Sequence, residues 1–600
     1  PRMRRYLTES FEGHPLVVGF VAGLIRKSLW SGMNFDKWVD DPRGGAAIDL
    51  TSPDIKQRRT NILKLAFDGL QQNARDLIAR MAMLTNAVPF EVLEVLNPLR
   101  PDPPKEVSTS DDTTSEDRTE ELAKDRDLSA KYQAALAVWS QSSEVHGAAT
   151  WLNDTLIDLE ARGLIMADHD EGLFDLHPVV RGYAVAWLDR TARGAVGQRI
   201  ADYYSTKSTS NFENATSIKD FADGLQVIKA LSLAGMNEQA TNALQDLSEH
   251  LFRLELYHEI LALMRPWYPA GWRALADGVD DPEVLAAVAA LLLSRLGRHE
   301  EAALQGILVI KASVSANDLE GACVALAILA PAMASENRLA SAERAARLAV
   351  EINKIVNWDE DFVRISLSEI LLIVDGREEA RLLLGEITSK PVYSDRFEEF
   401  IAATASWIEA TLHLRGGTLT TARLDRSIER ARQSGQRAAE RRLWQVAGEL
   451  RQSIEDHSGA AEAFSRAIEM AREVGQRDAQ SEALRSLSLV QLGRADEARA
   501  TAAALSVERD PPHVAMAQLW LALNQRDKAR DHALRGYKWA WADGPPYSRH
   551  WELSACEAVL NALDEPLPVL RPYDPARVEP LPYEADIRRL LAEHADKKPS

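Results

Sequence analysis

The sequence predicts a mainly α-helical protein in which a helical bundle and a winged helix are followed by an α-solenoid. Three observations lead to this order. The 600 residues exceed what one hydrophobic core usually supports, so several domains or a repeat array are needed. Apolar residues recur at helical spacing along most of the chain. Beyond about residue 200, a turn-and-alanine pattern returns at intervals that suit one pair of helices.

Composition and charge narrow the possible functions. The chain has 46% hydrophobic and 27% charged residues, which is ordinary for a protein with a buried core. Its formal net charge of -20 repels nucleic acid and anionic lipid, so we expect no direct nucleic-acid partner and no membrane partner. Cys323 and Cys556 lie far apart and outside any ligand motif, which predicts neither a disulfide framework nor a zinc site. The longest apolar run, 284–293, is about half of a membrane span, so we expect a cytoplasmic protein.

Residues 1–55 are predicted to be helical. They contain the phrase GHPLVVGF at 13–20, and apolar residues at helical spacing follow it. Proline is favoured in the first turn of a helix, so Pro15 predicts a helix start. The chain opens without an initiator Met or a signal-peptide pattern, and we expect that it was cut from a longer protein.

Residues 56–200 are predicted to form a winged-helix domain. Helical spacing marks the stretches around 62–70 and 77–84 and again at 151–161. Two short strands, at 164–167 and 173–176, then surround the turn DHDEG, and helices followed by such a hairpin describe a winged helix. A stretch at about 100–118, rich in Pro, Ser, Thr and Asp, lacks apolar periodicity and predicts a mobile insertion.

Residues 201–535 repeat one local pattern, in which a turn residue and several polar residues precede an alanine that opens the second helix of a pair. The turns are marked by Gly235, Gly297, Asn337, Gly376, Gly417, Ser458, Gly493 and Gln525. The matching alanines are Ala240, Ala302, Ala342, Ala380, Ala422, Ala463, Ala498 and Ala529. Their spacings of 62, 40, 38, 42, 41, 35 and 31, apart from the first, suit tetratricopeptide repeats of about 34 to 40 residues. We predict a superhelix of about eight tetratricopeptide-like repeats, with a degenerate unit near 254–264 in the first gap.

The C-terminal residues 536–600 depart from this pattern. Tyr537, Trp539, Trp541, Tyr547 and Trp551 lie close together, and a Pro-rich run follows at 566–582. A last repeat needs a cap over its apolar face, which is the interpretation we favour. The alternative is a platform of aromatic rings that binds a ligand.

The chain contains no complete catalytic motif. The phosphate loop GxxxxGK[ST], HExxH, GxSxG and a recognisable Cys/His dyad are all missing, so we name no catalytic residue and no metal ligand. His177 lies between a short strand and a helix N-terminus, where backbone N–H groups favour an anion such as phosphate. Arg181 follows in the first turn of that helix. The alternative is that His177 only caps the helix.

Three phrases resemble the NB-ARC group of signal-transduction ATPases, the STAND type that includes plant resistance proteins, apoptosome scaffolds and bacterial relatives. They are GHPL at 13–16, similar to the GLPL motif; ILKLAFDGL with RMAML at 62–84, similar to the start of the winged helix; and LHPVVRGYA at 176–184, similar to the methionine-histidine-aspartate motif. This sequence departs from that last motif by having Leu176 for Met and Pro178 for Asp, which puts in doubt the role of the aspartate in closing the lid.

The resemblance implies a nucleotide switch. Residues 1–55 would end the ATPase module, with Pro15 near the adenine and with His177, beside Arg181, at the β-phosphate of ADP. The phosphate loop and the Mg²⁺-binding strand would lie upstream, and the parent protein would be a slow ATPase. Exchange of ADP for ATP, set off by a protein or peptide trigger on the repeats, would release the winged helix and expose an oligomerising surface. A bacterial sensor in antiphage defence fits this description.

Two other classes of function stay open. One is a STAND-type transcription activator, in which another part of the protein binds DNA, because residues 151–200 carry five Arg against eight Asp or Glu and are poorly suited to read DNA. The other is a constitutive tetratricopeptide scaffold that binds proteins without switching. A phosphate loop in the upstream sequence would support a switch, and a basic helix-turn-helix would support the activator.

Overall fold

The computed structural model describes residues 2–12, 14–48, 55–84, 86–104, 130–207, 212, 215, 217–276, 279, 282–356, 361–388 and 396–597. The described chain is mainly helical and divides into two compact units. The N-terminal unit comprises Pro1–Asn211 and Phe221–Ala243. The C-terminal unit comprises Phe212–Asp220 and Leu244–Ser600.

The N-terminal unit combines helices with one small sheet. Its helices are Arg2–Phe11, Pro15–Lys27, Phe35–Val39, Ile55–Asp68, Gln72–Met81, Phe90–Leu96, Ser143–Ala161, Pro178–Ala184, Arg190–Lys207 and Ala222–Ala234, and 130–140 is also helical. The strands Val88–Pro89, Leu173–Asp175 and Met166–Asp168 form an antiparallel sheet with Leu173–Asp175 in the middle. Phe174 lies opposite both Val88 and Ala167, which fixes the register.

One hydrophobic core runs through this unit, because each element turns its apolar face inward. Phe20, Phe67 and Leu77 come from three different helices and are almost fully buried. Leu176 and Val180, which flank the start of the helix Pro178–Ala184, join the same core. The sequence phrases around Pro15 and His177 therefore belong to elements that share one packed interior.

Several boundaries match the sequence prediction and others move. A helix begins at Pro15, as predicted. The predicted helix at 151–161 begins earlier, at Ser143, where Ser142 caps it by accepting from the backbone N–H of Val145. The predicted strand at 164–167 lies at Met166–Asp168, because the buried Leu164 and Ile165 still belong to the turn. Most of the predicted insertion, 105–118, lies outside the described residues.

The C-terminal unit is a series of paired helices. The first helices of the pairs, which we name the inner helices, are Pro282–Arg295, Leu319–Ser335, Asp361–Ile373, Arg396–Arg415, Arg437–Ser453, Ala479–Gln491, His513–Ala522 and His550–Ala562. The outer helices are His299–Ala316, Leu339–Val356, Arg377–Thr388, Thr421–Gln433, His457–Glu473, Ala495–Ser506 and Arg526–Trp541. Each inner helix except the last, His550–Ala562, packs on its outer partner and on the next inner helix, so the inner helices line the concave side. This is the packing of a tetratricopeptide-like solenoid.

The turns between paired helices follow the predicted positions closely. Gly235, Gly297, Asn337, Gly417 and Gly493 all have the left-handed backbone that a tight helix end requires. At three turns the left-handed residue is not the predicted one: Asp375 precedes Gly376, Glu455 lies three residues before Ser458, and Asn524 precedes Gln525. Asn and Asp tolerate this conformation better than other residues with a side chain, which explains two of the three shifts.

Seven of the eight predicted alanines are buried in a helix after the turn, and Ala422 is not. The helix Thr421–Gln433 starts later after its turn than the other outer helices, because Thr420 caps it. The fourth residue of that helix is Leu424, which takes the buried position that Ala498 holds in Ala495–Ser506. The longer loop therefore shifts the register by two residues.

The first gap of 62 residues does not hold a full repeat. After the helix Asn237–Arg253, the described chain forms only the short helix Tyr257–Met264 and a 3-10 turn before Pro282. Trp267, Tyr268 and Trp272 are buried there, and Tyr268 donates to the buried Gln305 at 2.8 Å. The predicted unit near 254–264 is thus a single helix followed by an aromatic loop.

The end of the C-terminal unit closes back on an earlier repeat. Asn337 Nδ2 donates to the carbonyl of Trp539 at 3.0 Å, and Arg549 donates to the carbonyl of Ala334 at 2.6 Å. The last helix, Glu584–Lys597, packs on Leu319–Ser335 and Leu339–Val356. The repeats between these contacts therefore form a closed ring, with the inner helices around its interior.

No helix among the described residues has both the length and the apolar character to cross a membrane.

Candidate functional site

His177 lies where the middle strand of the small sheet passes into a helix. The strand ends at Asp175, Leu176 is buried in the core, and the helix begins at Pro178. Nδ1 of His177 accepts a hydrogen bond from the backbone N–H of Val179 at 3.2 Å, so the side chain does cap the helix. An accepting Nδ1 carries no proton, which leaves the proton of the neutral ring on Nε2 as a donor.

His14 lies beside His177, although 163 residues separate them in sequence. His14 caps the start of the helix Pro15–Lys27, where its carbonyl accepts the N–H of Val18. The centroids of the two imidazole rings are 6.3 Å apart and the rings meet edge to face. The fold thus brings the helix start at Pro15 next to the helix start at Pro178.

The surroundings of the two rings favour an uncharged His177 and leave one ring atom unsatisfied. Burial, followed by the nearby His14, lowers the pKa of His177, and Asp175 opposes this shift. Among the described residues, Nδ1 of His14 is buried and has no hydrogen-bond partner. A buried polar atom without a partner costs free energy, so a ligand that binds it would be favoured.

Arg181 is held by the strand that precedes its helix. Its guanidinium donates to Oδ1 of Asp175 at 2.5 Å and to the carbonyl of Leu176 at 3.3 Å. The same Asp175 oxygen accepts the backbone N–H of Leu176 at 2.7 Å. Arg181 therefore fixes the geometry on either side of His177, and part of its charge is balanced by Asp175.

Lys229 is a further cation within electrostatic range of Arg181, and no sequence motif marks it. It lies in the helix Ala222–Ala234, where burial, followed by the charge of Arg181, lowers its pKa. An isolated lysine in a helix gives no sequence signal, because only the fold brings it near Arg181.

The residues present fit a phosphate-bearing group. His177 can offer Nε2–H, the ring of His14 lies beside its ring, and Arg181 adds positive charge. Hydrogen-bond donors and cations are what phosphate oxygens take in proteins. Pro15, the first residue of its helix, follows His14 directly and so belongs to the same corner.

Glycines allow the helix Pro15–Lys27 to pack closely against the turn that ends the helix Ser143–Ala161. A Cβ atom on Gly23 would lie 2.6 Å from backbone atoms of Arg162, which is closer than any real contact allows. Asp158 joins the two elements, because it pairs with Lys27 and accepts from Arg162 at 2.7 Å. The site therefore rests on a close approach that only a residue without a side chain permits.

No protein-family model matches this chain, and no curated protein matches it. Among solved structures, it is similar to a Signal Transduction ATPase with Numerous Domains (STAND) protein with a tetratricopeptide repeat sensor from Pyrococcus horikoshii. The two are 13% identical with a TM-score of 0.45, and the match covers 91% of this chain and 74% of that one.

Two further solved structures are similar. The APC/C hetero-tetramer Cut9–Hcn1 is 12% identical with a TM-score of 0.35, and the match covers 75% of this chain and 88% of that one. Naa15/Naa10 bound to HypK-THB is 12% identical with a TM-score of 0.21, and the match covers 85% and 76%. At such identities and TM-scores, these likenesses carry no statement about what this chain does.

Proposed function

We propose that this chain is the sensor and switch portion of a nucleotide-regulated, oligomerising signalling protein of the STAND type, acting in bacterial antiphage defence. ADP and ATP would be its alternative cofactors. The phosphate loop and the Mg²⁺ ligands would belong to an ATPase module outside these 600 residues. Residues 56–200, with their three-stranded sheet, would be the winged-helix lid.

The observation that carries this proposal is the meeting of His14 and His177. The sequence phrases that resemble the GLPL and methionine-histidine-aspartate motifs are 163 residues apart, and their histidine rings lie 6.3 Å apart. The resemblance requires both phrases to face one nucleotide.

Each residue then has a definite task in the resting state. His177 keeps its Nδ1 on the helix cap and offers Nε2–H to a phosphate oxygen. Arg181, through its bonds to Asp175 and Leu176, is a positioning residue that holds the strand end and adds positive charge. The resemblance assigns Pro15 to the adenine. Bound ADP would supply negative charge beside the two histidines and Arg181.

Switching requires that nucleotides have different affinities for two states, because equal affinity would shift no equilibrium. The close packing of Gly23 on the backbone of Arg162 would belong to the closed state that ADP favours. The contacts of Asp158 with Lys27 and Arg162 would belong to the same state. A protein or peptide trigger on the repeats would favour the open state. The surface released on opening would then bind further copies of the protein.

The alternative of a constitutive protein-binding scaffold draws on a different observation. Nδ1 of His177 caps the helix through a hydrogen bond within the protein. The histidine therefore has a structural role even without a nucleotide. In a scaffold, the repeats would bind a partner at all times. A transcription activator would share the switch and differ in the part that acts on DNA.

The nucleotide content of the purified parent protein tests the proposal. The protein is denatured after purification, and the released nucleotides are separated by chromatography. Close to one ADP per chain supports the switch. No nucleotide, together with no binding of added ADP or ATP, would reject it and leave the scaffold.

A further inference from the structure

The closed ring of repeats encloses a groove of about 480 Å³. Inner helices from Pro282–Arg295 to His550–Ala562 contribute to its lining, and the ring contacts at Ala334 and Asn337 bring the last of them to the same interior. All of the lining residues belong to the C-terminal unit. The volume is in the range that specific ligands occupy.

Charged side chains line this groove to an unusual extent for a protein interior. Among its lining residues are Arg295, Arg415, Arg441, Arg442 and Arg549, with Glu255, Glu369, Glu449 and Glu552. Five Arg against four Glu make the groove slightly positive in a chain whose formal net charge is -20. The net charge of the groove lining is therefore opposite in sign to the net charge of the whole protein.

Two of these arginines are paired at hydrogen-bond distance. Arg441 meets the buried Glu255 at 2.6 Å, and Arg415 meets Glu449 at 2.9 Å. Such pairs satisfy the charge of both partners and explain their presence in the fold. Because these two arginines are already paired, they have little capacity left to bind a ligand.

Arg295 and Arg442 are different. No carboxylate among the described residues lies within ion-pair distance of Arg295, and Arg442 forms only a long ion pair, with Glu369 at 3.6 Å. Both arginines line the same narrow extension of the groove. Burial, followed by the charge of Arg295, lowers the pKa of Arg442, and Glu369 opposes this shift.

Aromatic rings form the walls around these two arginines. The guanidinium carbon of Arg442 lies 4.3 Å from the ring centroid of Trp407, and that of Arg295 lies 5.7 Å from the ring centroid of Phe400. The buried Tyr257 completes this wall. Stacking on a ring holds a guanidinium in place while its N–H donors stay available.

We propose that this groove binds an acidic polypeptide segment, whose carboxylates pair with Arg295 and Arg442 and whose aromatic or apolar side chains pack on Trp407 and Phe400. Glu369, Glu449 and Glu552 line the same groove, and they oppose a compact, highly charged ligand such as a nucleoside triphosphate. A peptide carries its carboxylates separately and can avoid them. This inference names the partner class of the sensor in the proposed function, but it needs no nucleotide switch.

The test uses the whole chain and a fluorescein-labelled random copolymer of Glu and Tyr as the probe. We expect saturable binding by fluorescence anisotropy that weakens as salt rises, although the net charge of the protein opposes it. Arg295→Gln and Arg442→Gln should each weaken binding at least tenfold. Arg499→Gln is the matched control, because Arg499 is an exposed arginine on an outer helix, paired with Asp496.

Thermal unfolding checks that the variants fold, and it also provides a second expected result. Arg295→Gln removes a like charge near Arg442 and breaks no ion pair among the described residues, so its melting temperature should stay the same or rise while binding falls. The inference is overturned by no binding to the wild type, or by equal binding to the groove variants. It is also overturned if pyrophosphate or ATP displaces the copolymer at lower concentration than unlabelled copolymer does.

The two proposals fail in different ways. Copolymer binding by a protein that holds no nucleotide would keep the groove site and reject the switch. A protein that holds nucleotide but whose groove does not bind the copolymer would keep the switch and reject the groove site.

Discussion

Single glycines in the repeat helices decide how closely neighbouring helices approach. A Cβ atom on Gly448 would lie 2.5 Å from the ring of the fully buried Phe464, on the paired helix. A Cβ atom on Gly385, in the outer helix Arg377–Thr388, would meet nothing within 4 Å. The same substitution should therefore have opposite effects at the two positions.

Gly448→Ala should lower the free energy of unfolding by about 1–3 kcal/mol, because the added methyl group overpacks the contact with Phe464. Gly385→Ala is the matched control and should raise it by about 0.5–1 kcal/mol, since Ala is the better helix former. Urea unfolding followed by circular dichroism measures both. Equal effects at the two positions would show that helix packing at Gly448 is looser than described.

A second feature at the residue scale is the histidine pair between the helices His513–Ala522 and Arg526–Trp541. The Nδ1 atoms of His513 and His532 lie 2.9 Å apart, so at least one of the two rings must be neutral for them to share a hydrogen bond. Burial, followed by His513, lowers the pKa of His532 to about 4. Burial lowers the pKa of His513 as well.

Acid should therefore destabilise the C-terminal unit. An unfolded histidine binds its proton near pH 6.5, while the folded His532 does so only near pH 4, so the unfolded state gains protons first as the pH falls. We expect a loss of up to about 3 kcal/mol between these two values. His532→Leu should flatten the dependence of the melting temperature on pH in this window. An unchanged pH dependence in this variant would assign the effect to other groups.

At the scale of elements, the helix Pro15–Lys27 owes its position to Gly23. This residue faces the backbone of Arg162, while the Cβ direction of Gly19, one turn earlier, is open. Both glycines lie in the same helix, so a change to Ala gives the same gain in helix propensity at either position.

Gly23→Ala should push the helix away from the turn at Arg162 and lower the stability of the N-terminal unit by about 1–3 kcal/mol. In the proposed switch it should also release the lid and raise signalling without a trigger. Gly19→Ala should leave both properties unchanged or slightly improve stability. Hydrogen exchange of the segments 15–27 and 143–163 measures the release, and equal protection in both variants would contradict it.

Much of the element order could be predicted from the sequence. Pro15 marks a helix start through its own fixed backbone, and Gly297 or Gly493 mark turns, because these are local properties of the chain. The shift from Ala422 to Leu424 was missed, since two extra loop residues change the register without changing the pattern. The bond of Arg181 to Asp175, the approach of Lys229 and the pair Arg295 and Arg442 depend on packing between distant segments, which a single sequence does not display.

At the scale of the C-terminal unit, closure of the repeat ring rests on a few polar contacts. Arg549 donates to the carbonyl of Ala334 at 2.6 Å and to Oδ1 of Asn337 at 2.9 Å. Arg344 pairs with the buried Glu584 at 2.9 Å. These contacts hold the end of the solenoid and keep the groove narrow.

Arg549→Lys should loosen the ring, because a single ammonium group cannot make both of the bonds that the planar guanidinium makes. We expect a loss of about 1–3 kcal/mol and weaker protection from hydrogen exchange at 334–344 and 584–594. Arg499→Lys is the control on the exposed outer surface. Unchanged protection in Arg549→Lys would mean that apolar packing alone closes the ring.

For the whole protein, the central claim is that His177 holds a resting nucleotide. The rate at which a fluorescent ADP analogue leaves the parent protein tests this most directly. The wild type should release it slowly, and His177→Ala should release it at least tenfold faster, since one charge-assisted hydrogen bond to phosphate is lost. His169 is an exposed histidine in the hairpin, where it contacts Glu160, and His169→Ala should behave like the wild type. Equal release rates in the wild type and His177→Ala would contradict the claim and leave His177 as a helix cap.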